Sequence, residues 1–214
     1  PPMLGSSMLR VLIIGNAPAD DLAKWSNLVM DSDLIIACDG AMEKCQINGI
    51  AVNVLIGDMD SITEATQRDA KSKGVKIIKL TDQDTNDLTK AIAYADSLGA
   101  TNISIINVDG GRADHQFANY LSLLEAKSDA RLFLDDCTVI ALRNSKPISH
   151  SIEIGTEFSV FSLGRSSGIN LTGGKWELKN AVLEPSSTGL HNVAVEDMIS
   201  INCETGNLLV FVSN

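Results

Sequence analysis

Three short runs near the amino terminus, RVLIIG (10 to 15), LIIACD (34 to 39) and VLIGD (54 to 58), are almost wholly apolar, and the stretches between them are amphipathic. An alternating strand can rest one face on water; a continuous apolar run must be covered on both sides. The intervening ADDLAKWSNLVM and AMEKCQINGI supply helices for that cover. The order continues through TEATQRDAKSKG, VKIIKL (75 to 80), a helix from about Thr85 to Leu98, ISIINV (103 to 108), a helix from about Ala113 to Lys127, and RLFLDD (131 to 136). This predicts an α/β domain over residues 1–136, built on a doubly wound, mostly parallel sheet.

Beyond Asp136 the helical spacing disappears. Short β-rich runs such as TVIALR, EFSVFSL, INLTG, MISINC and LLVFV follow, separated by the turn-forming SSG, TGG, PSSTG and ETGN. A second, all-β sandwich domain is expected over residues 137–214. With 44% hydrophobic residues, the 214-residue chain can fill both cores.

A formal charge of −10 disfavours nucleic acid or an anionic membrane as the main partner. Any bound anion then needs positive charge supplied locally. Cys38, Cys45, Cys137 and Cys203 lie in or beside apolar runs and form no CxxC pair, so buried thiols and a cytoplasmic location are expected. PPMLGSS at the start lacks the features of a signal peptide, and no apolar run approaches the roughly 18 residues of a membrane span.

Ligands of open parallel sheets bind outside the carboxyl ends of the strands. Four of these ends are polar: Asp39-Gly40, Gly57-Asp58-Met59-Asp60-Ser61, the stretch from Thr81 to Asp87, and Asp109 to His115. Each acid alone is an ordinary turn former or helix cap, but so many on one rim repel one another unless a cation sits among them. Hard oxygen ligands of this kind suit Mg²⁺ with a phosphate-bearing substrate. On an extended segment Asp58 and Asp60 share a face and reach one metal while Met59 turns to the core; the competing reading is a turn of two solvated acids with Ser61 capping the next helix. Asp84 serves the dipole of the helix it precedes, and Asp87 points back over the rim. Gly110-Gly111-Arg112 offers free N–H groups, a helix dipole and a guanidinium to a phosphate. Asp114 either orients that arginine or caps the helix, and His115 reads as structural.

The succession CDGA, GDMDS, DQDTNDLTKAI and GGRADH, followed by a β domain with GGKWELKNAVLEPSSTGLHN, resembles the thiamine pyrophosphokinase family across nearly the whole chain. The resemblance implies Mg²⁺-dependent transfer of the pyrophosphoryl group of ATP to the hydroxyethyl oxygen of thiamine, giving thiamine diphosphate and AMP. It implies Asp58, Asp60 and Asp87 as metal ligands, and Asp39 and Gln83 as polar groups along the reacting hydroxyl and the phosphates. Gly111, Arg112 and Asp114 match its phosphate-side motif, with Arg112, Asp39 and Asp60 the groups nearest the chemistry. Trp176 resembles the tryptophan that stacks on thiamine, and Asn192 the asparagine of a Ser-Asn pair. A homodimer with sites at the subunit interface is implied as well.

The chain departs from the family pattern at three places. His191 replaces the usual Ser before Asn192, Asn86 replaces Thr before Asp87, and Gly174 stands where Leu is common. Two of these fall on the thiamine side, which leaves open a diphosphokinase acting on another heteroaromatic alcohol, such as a hydroxymethylpterin. A nonenzymatic nucleotide or thiamine sensor is the third reading.

Overall fold

The structure is a computed structural model that describes residues 8–80, 85–143 and 147–214. The chain divides into two compact units, the first ending at Phe133 and the second spanning Leu134–Asn214.

The first unit follows the alternation of its sequence. Its elements are β1 (Arg10–Ile14), α1 (Ser26–Asp31), β2 (Leu34–Cys38), α2 (Ala41–Ile47), β3 (Val54–Gly57), α3 (Glu64–Ser72), β4 (Lys76–Lys79), α4 (Asp87–Ser97), β5 (Asn102–Ile106), α5 (Ala113–Ser122) and β6 (Asp129–Phe133). The strands lie in the order β6-β5-β1-β2-β3-β4, and every pairing is parallel. The chain therefore builds outward from β1 to β4, then returns to the other side of β1 for β5 and β6. Burial tracks this order: all four residues of β3 are buried, and so are the last four of β1 and β2, whereas none in the edge strand β4 is. Each fully buried Ile or Leu, such as Leu12, Ile36 and Ile105, contributes roughly 1.5–3 kcal/mol relative to exposure.

The helices are shorter than their sequence patterns. In α4 the expected stripe of Leu88, Ala91, Ile92 and Ala95 is buried, while Leu98 becomes the exposed C-cap. α5 stops at Ser122, followed by a single 3-10 turn over Leu123–Glu125. The Ser122 hydroxyl bonds back to the Ala118 carbonyl at 3.0 Å and meets Thr89 Oγ1 at 2.9 Å, and the chain turns extended at Ala126.

The second unit contains strands only among its described residues: β7 (Cys137–Arg143), β8 (Ile148–Ser151), β9 (Glu157–Ser162), β10 (Ser166–Thr172), β11 (Leu178–Leu183), β12 (Asn192–Val193), β13 (Met198–Asn202) and β14 (Asn207–Ser213). They form antiparallel sheets in the orders β12-β9-β14-β7 and β11-β10-β13-β8. Alternate residues point inward, so Ile140, Phe158, Val160 and Val210 of one sheet join Ile169, Leu171, Ile199 and Ile201 of the other in one apolar cluster.

Candidate active site

The reversal of strand order falls between β1 and β5. A cavity of about 830 Å³ opens there, walled by residues 15–18 after β1, Cys38 and Asp39 at the end of β2, Asp58 and Ser61 after β3, the start of α4, and the turn from β5 into α5. This is where a parallel sheet separates its crossover loops and admits a ligand.

Asp39 is only 5% exposed and sits in the left-handed region at φ 36°. Its Oδ2 accepts the Ser61 N–H at 3.2 Å, while its Oδ1 is buried with no hydrogen-bond partner. Gly57 makes this placement possible: at φ 154°, a Cβ there would lie 2.9 Å from the Asp39 Cβ. Gly40 plays a similar part, since a side chain would strike the Asn16 amide.

The segment after β3 is a turn. Met59 has φ 72° and is buried in the core, and Asp58 Oδ1 accepts the Asp60 N–H at 3.0 Å. The extended geometry expected for Asp58 and Asp60 is thereby corrected: the strand ends at Gly57, and the left-handed Met59 breaks the alternation that would have put both carboxylates on one face. Met59 does turn inward as expected. Asp58 lines the cavity; Asp60 does not.

Asp87 opens α4, lines the cavity, and lies 3.7 Å from Lys90 Nζ. Burial, more than any other influence, pushes the Asp39 and Asp87 carboxyls above the ordinary range. The Asp58 charge adds to both and the Asp87 charge to Asp39, against the Ser61 N–H at Asp39 and Lys90 at Asp87. Among the described residues no three Asp, Glu, His or Cys side chains stand close enough together to enclose a metal ion. The donor set still fits a hard cation that uses one or two carboxylates and completes its shell with water and phosphate. An orphaned buried oxygen and three mutually repelling carboxylates in the lining are relieved by such a charge.

Positive charge also comes from the turn into α5. Gly110 and Gly111 adopt φ 76° and 136°, and Arg112 is the N-cap of α5 without a side-chain cap bond. The guanidinium grips Asp114 with both prongs, Nε to Oδ1 at 3.1 Å and Nη2 to Oδ2 at 2.6 Å. That hydrogen bonding raises Arg112 and lowers Asp114 from their ordinary values. Asp114 thus orients the arginine, and it also accepts the His115 N–H. Gly111, Arg112, Asp114 and His115 all line the cavity. Gln83 lies outside the described residues.

Sequence reading missed Asn16 and Lys90 as site residues and gave Ser61 only a capping role; all three line the cavity. The carboxyl end of β1, GNAPAD, obeys the same strand-end rule as the four ends chosen and would have pointed to Asn16.

In the second unit, Trp176 and Asn192 meet directly. Asn192 Nδ2 donates to the Trp176 carbonyl at 2.8 Å, and its Oδ1 accepts the Trp176 N–H at 3.2 Å. The indole is 55% exposed, with Lys175 Nζ 4.8 Å from its centroid. His191 sits at φ 60°, its Nδ1 3.6 Å from Glu157 at the surface. Gly174 has a steric reason: a Cβ there would stand 2.8 Å from Phe158 Cζ and 2.9 Å from the Asn192 amide. A leucine would displace both.

The sequence matches the family model for the thiamin pyrophosphokinase catalytic domain over residues 25–134, more than half of the chain. Comparison with curated protein sequences gives no match. Among solved structures, thiamine pyrophosphokinase from Bacillus subtilis is 21% identical with a TM-score of 0.82, over 96% of this chain and 99% of that one. Thiamin pyrophosphokinase from Candida albicans is 16% identical with a TM-score of 0.79, over 96% and 89%. The yeast enzyme, also 16% identical, has a TM-score of 0.76 over 98% and 87%. At these identities the likeness is one of fold, and it runs through both units. With the catalytic-domain match taking in every cavity-lining residue except those at 15–18, the chain belongs to the thiamin pyrophosphokinase family.

Proposed function

We propose that this chain is a thiamine pyrophosphokinase, moving the pyrophosphoryl group of ATP to the hydroxyethyl oxygen of thiamine. The observation that carries the reading is the cavity at the β1/β5 reversal, whose lining combines Asp39, Asp58 and Asp87 with the Gly111-Arg112 turn. In the reaction the thiamine hydroxyl oxygen bonds to the β-phosphorus while the bond from that phosphorus to the α-phosphate bridging oxygen breaks. AMP leaves with the electron pair. Such transfer depends on alignment and on neutralising phosphate charge more than on covalent help from the protein.

Arg112, pre-oriented by Asp114, balances charge on the phosphates, and the N–H groups after Gly110 and Gly111 add donors. Gln83 is assigned to the same phosphates through the family motif. Asp39 accepts the hydroxyl proton: it lines the cavity, and burial makes it more basic than an ordinary aspartate. Asp58 and Asp87 would hold Mg²⁺, with Asp60 assigned to it through the family motif alone, and the ion when bound would neutralise the phosphates and polarise the transferred group. Trp176 offers thiamine an exposed aromatic face suited to a cation, with Lys175 Nζ 4.8 Å from its centroid, and Asn192 holds the Trp176 backbone. His191 borders that surface. We also assign the chain to the cytoplasm and to a homodimer, each site completed by the β unit of a second chain. Among the described residues no helix is long and apolar enough to cross a membrane.

One observation favours a second reading. Phe158 and Asn192 fill the space that a leucine at 174 would need, so the acceptor surface differs from the common pattern. The test is AMP release from ATP and Mg²⁺ with thiamine or a hydroxymethylpterin as acceptor. Release with thiamine alone is expected; release with the pterin alone moves the acceptor assignment, and release with neither removes the enzyme reading in favour of a sensor.

A further inference from the structure

Asn107 follows β5 directly, is 3% exposed, and holds a left-handed φ of 55°. Asn tolerates that conformation better than most residues with a side chain, and it alone among the small ones brings an amide with two donors. The turn aims the amide at the segment leaving β1: Nδ2 donates to the Gly15 carbonyl at 2.9 Å and to the Ala17 carbonyl at 3.4 Å. Backbone bonds run the other way, from Gly15 N–H to Ile106 O at 2.9 Å and from Ala17 N–H to Asn107 O at 3.0 Å. Gly15 permits this approach, since a Cβ there would lie 2.7 Å from the Asn107 carbonyl oxygen and 2.5 Å from Val108 Cγ1.

The parallel ladder between β1 and β5 ends at Ile14 and Ile106, so these contacts are what continues it into the cavity wall. The segment they hold carries Asn16 and Pro18 into the lining, and Pro18 Cδ lies 4.0 Å from where a Cβ on Gly111 would be. Loosening it moves a wall that faces the phosphate turn.

We propose that Asn107 is a positioning residue of the cavity, its side-chain amide clamping the Gly15–Ala17 segment to the end of β5. Only the kinetic consequence rests on the pyrophosphoryl-transfer reading. Asn107→Gly keeps the left-handed backbone without steric cost and removes the amide; Asn107→Asp keeps the size and offers acceptors where donors are needed. In both, hydrogen exchange at the amides of Gly15, Asn16 and Ala17 is expected to quicken at least ~10-fold with the rest of the sheet unchanged. KM for ATP is expected to rise roughly 10-fold while kcat stays within about threefold, because the wall is displaced and the acids are not. Unchanged exchange at residues 15–17 in both variants overturns the proposal. So does faster exchange throughout β1 and β5 with kcat falling and KM unmoved, the signature of a purely structural residue. If the parent protein releases no AMP with any acceptor, the transfer reading fails by itself, and the exchange data decide the clamp alone.

Discussion

Asp39 lines a cavity that also holds Asp58 and Asp87, and one of its carboxylate oxygens is buried without a partner. A carboxyl whose folded value is raised contributes its stability while protonated, below the ordinary range near about pH 4, and loses it as pH climbs through the raised value. Metal-free Asp39→Asn is therefore expected to unfold at a higher temperature than the parent near about pH 7, with the gap closing toward about pH 4 in calorimetry. Asn preserves the acceptor for the Ser61 N–H and suits the φ of 36°. The same variant should transfer poorly, which would mark the acid as kept for chemistry at the expense of stability. Asp58→Asn and Asp60→Asn are each expected to lose transfer by at least ~100-fold with the melting temperature held, and near-normal turnover in both removes them from the metal assignment. These acids were legible in the sequence as residues on strand ends. Their directions were not, because a single left-handed residue, Met59, decides where Asp60 points, and methionine carries no local signal for that conformation.

Among the elements, α4 does most to place the site. Asn86 is its N-cap, accepting the Thr89 N–H at 2.8 Å, and Asp87 follows as the first helical residue. The departure from the family's usual Thr is thus a change between two capping side chains. Asn86→Ala is expected to cost about 1 kcal/mol in denaturant unfolding, and Asn86→Thr a few tenths. Only the alanine variant should also lose transfer, since fraying the first turn lets Asp87 wander. Helices and strands were visible in the sequence where periodicity is strong, as in the buried stripe of α4. Their ends were not: β12 shrinks to Asn192–Val193 and α5 to Ala113–Ser122, because side-chain bonds such as those of Ser122 compete with the repeating pattern.

At the scale of the whole molecule, the second unit of a single chain leaves Trp176, Val182, Leu190, Val195 and Met198 exposed. In the homodimer proposed above, part of this exposed apolar area would be covered by the second chain. Sedimentation equilibrium is expected to return twice the chain mass at micromolar concentration; a monomer that still turns over would remove the shared-site assignment. The sequence by itself determined the two kinds of unit, the acids on the strand ends and the family motifs, since hydrophobic period, turn chemistry and short motifs are all local. Tertiary structure alone decided that β5 returns beside β1. That choice sets the Gly15–Pro18 segment against the Gly110–Gly111 turn and opens the cavity between them, and it rests on pairings between residues some ninety positions apart, such as Ile14 with Ile106, that no local pattern encodes.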